Sequence, residues 1–121
     1  MPNILLIDDD PIIQKAFSRY LISFGYEVHL ADNGKKGLKI IEATPPDLII
    51  TDILMPEMDG LEVLMAVRKL EFSIPVIAIS GGMRALPINF LRDAKDLGAR
   101  YVFEKPVPLQ NLLEAVKELI G

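Results

Sequence analysis

LLIDDDP, residues 5–11, runs from an apolar segment straight into three consecutive carboxylates and a proline. The apolar part, Ile4–Ile7, is too short for a helix and reads as a strand buried on both faces. Asp10 is a good helix N-cap, and Pro11 suits the first helical position because its missing N–H would be unsatisfied there anyway. Ile12, Ile13, Ala16, Phe17, Tyr20, Leu21 and Phe24 then follow helical spacing, so a helix is expected over Pro11–Phe24. The stretch therefore reads as strand, acidic turn, helix. Three adjacent carboxylates repel one another, so they either sit in water as an ordinary loop or share a positive partner.

The same unit recurs along the chain. Short apolar runs at Val28–Ala31, Leu48–Thr51, Val76–Ile79 and Tyr101–Phe103 read as further buried strands. Helical patterns separate and follow them at Gly34–Ala43, Gly60–Lys69, roughly Asn89–Leu97 and Leu109–Ile120. Strict alternation of this kind implies an α/β fold: a parallel sheet with right-handed crossovers and helices on both faces. No repeat, low-complexity tract or linker interrupts it, and 121 residues suffice for a single domain with a proper core.

Composition narrows the function. Seventeen acids against thirteen bases give a net charge of -4, which argues against gripping nucleic acid by neutralising phosphates. The absence of cysteine removes disulfides and thiolate metal sites. No apolar run reaches the length of a membrane span and no signal-peptide pattern opens the chain, so a cytoplasmic location is expected.

In doubly wound sheets ligands gather at the carboxyl ends of the strands. Strand one delivers Asp8, Asp9 and Asp10 there, strand three Asp52, strand four Ser80 and strand five Lys105. Strand two delivers only the turn residues Asp32, Asn33 and Gly34. The order 2-1-3-4-5 makes the four functional strands neighbours and puts strand two outside. With adjacent strands about 4.8 Å apart, strands one and five lie roughly 14 Å apart, a gap that sheet twist and a lysine stem can close. Each residue alone has an ordinary reading as a cap, turn or surface charge. Four at corresponding strand ends are hard to explain that way.

The grouped residues imply a chemistry. Asp8, Asp9 and Asp52 are hard oxygen ligands suited to Mg²⁺, which would cancel their repulsion. A cation with an open position favours an incoming phosphoryl group, clamped from the other side by Lys105 and Ser80. One of the carboxylates could then attack phosphorus to form an aspartyl phosphate.

These residues, with DILMPEMDG at 52–60, Ser80-Gly81 and Lys105-Pro106 in order, closely resemble the receiver domain of two-component response regulators over Asn3 to Ile120. The resemblance implies a flavodoxin-like (βα)5 fold in the order 2-1-3-4-5. It makes Asp52 the phosphoacceptor and Asp8 and Asp9 the metal-site acids, with the main-chain carbonyl of Leu54 as a further Mg²⁺ ligand. Ser80 and Lys105 would contact the phosphoryl oxygens, and Asp10, outside the matched pair, remains the helix cap. The implied donor is a phosphohistidine on a sensor histidine kinase or histidine phosphotransfer protein. The implied product is a signalling switch that catalyses only its own phosphorylation and dephosphorylation.

The whole of residues 1–121 reads as one receiver domain. Its output is expected from a downstream effector protein or an output domain outside this sequence. Phosphorylation is expected to draw Ser80 and the Gly81–Asn89 loop toward the new charge, remodelling the surface made by the helical stretch at Asn89–Leu97 and strand five. Three features depart from the family pattern. Val102 stands where an aromatic is frequent, leucine occupies position 54, where a polar side chain is frequent, and Ser80 to Lys105 spans 25 positions, a few more than usual.

Other readings explain less. A haloacid-dehalogenase-like phosphohydrolase would use Asp8 of Asp8-x-Asp10 as nucleophile, but leaves Asp52 and MPEMDG without a role. A flavodoxin-like cofactor binder would need a phosphate loop where the acids stand. A receiver that only binds partners would have no use for the full set of acids, Ser80 and Lys105. Phe17, Phe24 and Phe72 lie at apolar positions and read as core, Met55 and Met58 belong to the loop motif, and His29, the sole histidine, reads as structural.

Overall fold

The computed structural model describes residues 2–53, 60–70, 73–80 and 98–121. The expected helix at 89–97, the loop at 81–89, Leu54, Met55, Met58 and Phe72 lie outside these residues. The described elements are β1 (Asn3–Ile7), α1 (Pro11–Ser23), β2 (Glu27–Ala31), α2 (Gly34–Ala43), β3 (Leu48–Asp52), α3 (Gly60–Arg68), β4 (Val76–Ser80), β5 (Tyr101–Glu104) and α4 (Leu109–Ile120). All strand pairs are parallel, in the order β2-β1-β3-β4-β5. The α/β fold and the strand order expected from the residues at the strand ends are those observed.

Side chains alternate across the sheet and form two cores. On one face Ile4, Leu6, Leu48 and Ile50 pack with Phe17 and Leu21 of α1 and Leu112 and Val116 of α4. On the other, Leu5, Ile7, Ile49 and Val76 pack with Ile41 of α2 and Val63, Leu64 and Val67 of α3. Each such fully buried side chain stabilises the fold by about 1.5–3 kcal/mol relative to exposure. α2 comes especially close to β1: a Cβ on Gly37 would stand 2.5 Å from Ile7 Cδ1.

The capping signals behave as read. Asp10 Oδ1 accepts from the Ile12 amide at 2.9 Å at the start of α1, and Asn33 Oδ1 accepts from the Lys36 amide at 2.8 Å at the start of α2. Gly25, just past the end of α1, has φ +94°, the left-handed conformation that glycine adopts without a Cβ penalty.

Several expectations of burial need correction. β1, β3 and β4 are buried on both faces, but the two edge strands are not. β2 is largely exposed and β5 only half-buried, because an edge strand has a neighbour on one side only. His29 is accordingly not a core residue; it is exposed on β2 with its Nε2 3.3 Å from Glu27 Oε1. Phe24 and Ile12 also lie outside the core, half and three-quarters exposed. Phe24 is the C-cap of α1, its ring against Tyr20 and under the Lys117 ammonium of α4. Among the described residues no helix is long and apolar enough to cross a membrane.

Candidate functional site

The sheet delivers each candidate residue to one edge. Asp52 and Ser80 are the last residues of β3 and β4, which each run one position beyond the strand limits read from apolarity. Being in the ladder fixes them more firmly than a loop would. Asp52 is opposite Ile79 and Ser80 opposite Glu104, so successive strands climb by one residue toward Lys105. The Lys105 amide then donates to the Ser80 carbonyl at 2.8 Å, anchoring its start. The peptide between Lys105 and Pro106 is cis.

Lys105 leans back over the sheet end. Its Nζ lies 2.9 Å from Asp52 Oδ2 and 3.2 Å from Asp8 Oδ2. Asp8, Asp52 and Ser80 are all buried, while Asp9 is exposed. One carboxylate oxygen from each of Asp8, Asp9 and Asp52 falls within 4.8 Å of the others. Four of the residues read from the sequence are thus joined in one cluster, and Ser80 stands at the adjoining strand end. The position of the Leu54 carbonyl lies outside the described residues.

Electrostatics show what the cluster lacks. Burial pushes the Asp8 carboxyl above its ordinary value of 3.8, and the Asp52 charge adds to this; the Asp10 amide and Lys105 act in the opposite sense. Asp8 Oδ1 is satisfied by the Asp10 amide at 2.9 Å. Asp8 Oδ2 is buried and has no hydrogen-bond partner among the described residues; its contact with Lys105 is an ion pair without hydrogen-bond geometry. Burial alone would lower the Lys105 ammonium from 10.5, but its hydrogen bond to Asp52 and the charges of Asp52 and Asp8 outweigh that and raise it. A buried carboxylate oxygen short of partners, beside two more carboxylates, fits a small hard cation. The donor set is all oxygen, as Mg²⁺ requires.

One residue at the site carries no signal in the sequence. Gln14, in the first turns of α1, donates from Nε2 to the main-chain carbonyl of Asp8 at 2.6 Å and to that of Ala31 at 3.3 Å. Its role depends on where β2 ends, which spacing along α1 does not reveal.

Fold and site together define a doubly wound domain with an acidic, lysine-bridged pocket at the carboxyl edge of its sheet. The family model for the response regulator receiver domain matches residues 4–117, and the chain belongs to that family. Response regulator MprA of Mycolicibacterium vanbaalenii is 31% identical over 118 residues, covering 98% of this chain and 50% of the relative. The probable transcriptional regulator ycf29 of Porphyra purpurea is 34% identical over 121 residues, covering 98% and 56%. The chain thus spans about half the length of these curated relatives. The crystal structure of a CheY-like response regulator receiver domain protein from Methanospirillum hungatei superimposes with a TM-score of 0.90 at 32% identity, covering 98% of this chain and 92% of that one.

Proposed function

We propose that this receiver domain is a phosphorylation-dependent switch in which Asp52 accepts a phosphoryl group from a phosphohistidine of a sensor histidine kinase or histidine phosphotransfer protein. The observation that carries the reading is Lys105 Nζ bridging Asp52 and Asp8, with Asp9 completing the acidic set. In the transfer an Asp52 carboxylate oxygen attacks phosphorus, the N–P bond to the donor imidazole breaks, and the imidazole leaves with that electron pair. Lys105, its pKa raised, stays protonated and offers its charge to the phosphoryl oxygens. The Ser80 hydroxyl, at the end of β4, is a donor to another. Asp8, Asp9 and Asp52, with the Leu54 carbonyl, would hold Mg²⁺, which supplies positive charge against the phosphoryl oxygens. Hydrolysis of the aspartyl phosphate resets the switch, so the domain turns over only its own modification.

The readout in this proposal does not use an aromatic rotamer at strand five. Val102 packs on the α2–α3 core, while Tyr101 and Phe103 stack on each other over the α1–α4 core. We assign the signal instead to movement at Ser80 and the Gly81–Asn89 loop, presented to an effector protein or an attached output domain. Amide shifts in residues 86–104 with beryllofluoride check that part. A cytoplasmic location accords with a kinase donor. The phosphohydrolase reading is not favoured, because the family match gives MPEMDG a place and Asp10 is engaged as the cap of α1.

The deciding experiment is intact mass after treatment with acetyl phosphate and Mg²⁺. One acid-labile phosphate adduct is expected, absent in Asp52→Asn and absent in excess EDTA. An adduct retained at full yield in Asp52→Asn would sink the assignment.

A further inference from the structure

The acids that face the pocket hang from a short stretch of backbone, Asp8–Asp10, and something must hold that backbone still. The sheet accounts for its first residue only: the Asp8 amide donates to the Ala31 carbonyl at 3.1 Å. Beyond it the chain turns through Asp9 and Asp10 into α1. Here the hydrogen bonds form a closed ring. The Asp10 amide donates to Asp8 Oδ1 at 2.9 Å, the Gln14 amide donates to the Asp10 carbonyl at 3.0 Å, and Gln14 Nε2 returns to the Asp8 carbonyl at 2.6 Å. The second Nε2 hydrogen reaches the Ala31 carbonyl at 3.3 Å, tying the ring to the end of β2.

We infer that Gln14 is a positioning residue for the cation site: its side-chain amide locks the backbone that aims the Asp8 and Asp9 carboxylates. The inference rests on the proposed function above, since it supposes that these acids hold Mg²⁺. An NH₂ group suits the place. Both partners are carbonyl oxygens, so the amide can present its nitrogen alone, and its two hydrogens match two acceptors. A carboxylate there would meet both carbonyls with lone pairs and add a charge beside the acids. An aliphatic side chain would fill the space and donate nothing. Gln14 is half-buried, which shields these bonds from competing water. Partners that orient ligands in this way govern metal affinity without touching the metal.

The test compares the native chain, Gln14→Met and Gln14→Asn for Mg²⁺ affinity by calorimetric titration well below the unfolding temperature. Metal-free amide shifts of Asp8, Asp9 and Asp10 are recorded alongside. Methionine keeps the length and loses both donors, and should weaken Mg²⁺ by about tenfold. Asparagine keeps the amide but is one methylene short, and should fall between; it decides the matter if Gln14→Met does not fold. Leu21→Val, a core change on the same helix, should leave the affinity unaltered. Gln14 variants that fold and bind Mg²⁺ like the native chain overturn the inference, as does an equal loss in Leu21→Val. A native chain that binds no Mg²⁺ overturns the functional reading itself, a different result.

Discussion

Lys105 Nζ and Asp52 Oδ2 stand 2.9 Å apart although the residues are 53 positions distant, one at the far edge strand and one at the centre of the sheet. The pair brings a cation to the carboxylate, and Asp8 Oδ2 lies 3.2 Å from the same nitrogen. Removing the ammonium leaves two buried carboxylates facing each other. Lys105→Met should destabilise the fold at pH 7 by about 1–3 kcal/mol, since removing one member of a buried ion pair is costly. Its raised pKa means that the native contribution is present in full below 10.5 and fades only as pH rises through the folded value. Urea unfolding of both chains at pH 7 checks the size. A loss that shrinks on acidification, as the carboxyls protonate, checks the cause.

Asp8 is expected to cost stability at the site proposed for Mg²⁺. Its pKa is raised, so above the folded value the ionised carboxylate carries the whole burial penalty. That penalty is relieved as pH falls through the folded value toward 3.8. Asp8→Asn keeps the Oδ1 that accepts from Asp10 and removes the charge. In the metal-free protein it should raise stability at pH 7 by about 1 kcal/mol, with the gain disappearing in acid. The same variant should lose Mg²⁺ binding, measured by titration.

Mg²⁺ should stabilise the native chain by mass action, about 2.7 kcal/mol at a hundred times its dissociation constant. Acidification should weaken the binding, beginning above the ordinary carboxylate range, because Asp8 must ionise to act as a ligand. Unfolding midpoints with Mg²⁺ and with EDTA, followed from neutral pH into the acid range, give both quantities.

Gly37→Ala tests how closely α2 rides on β1. Alanine is the better helix former by about 1 kcal/mol, yet its Cβ would stand 2.5 Å from Ile7 Cδ1 and 3.0 Å from Cγ1. Ile7 is fully buried, so in a close-packed core its side chain can yield only by shifting against its neighbours. Overpacking of this kind costs about 1–3 kcal/mol, so a net loss is expected. Ile7→Val removes Cδ1, and in that background Gly37→Ala should be much less harmful. A double-mutant cycle measures the difference.

The strand order and the site were legible in the residues because chemistry-bearing side chains end apolar runs, and of the two orders common in doubly wound sheets only 2-1-3-4-5 makes their strands neighbours. Asp8, Asp52 and Lys105 meet as that reasoning requires. Less legible was what depends on neighbours in space. Val28–Ala31 looks as apolar as a central strand, and its exposure follows from its place at the edge rather than from its composition. Periodicity put Ile12 and Phe24 on the buried stripe of α1, but it does not say where the packing partners of a helix stop. Gln14 offered no sign, because its acceptors lie at the ends of two separate strands and its type is ordinary for a helix surface.

Pro2 and Ile120 line one shallow groove with Asp47 and Pro75, at the amino edge of the sheet. The acids and Lys105 occupy the opposite edge. A tether, dye or reporter fused to either end of residues 2–120 therefore leaves from the far pole and keeps the pocket open to solution. Immobilised through a terminal tag, the domain should give the same response to Mg²⁺ and acetyl phosphate as the untethered domain.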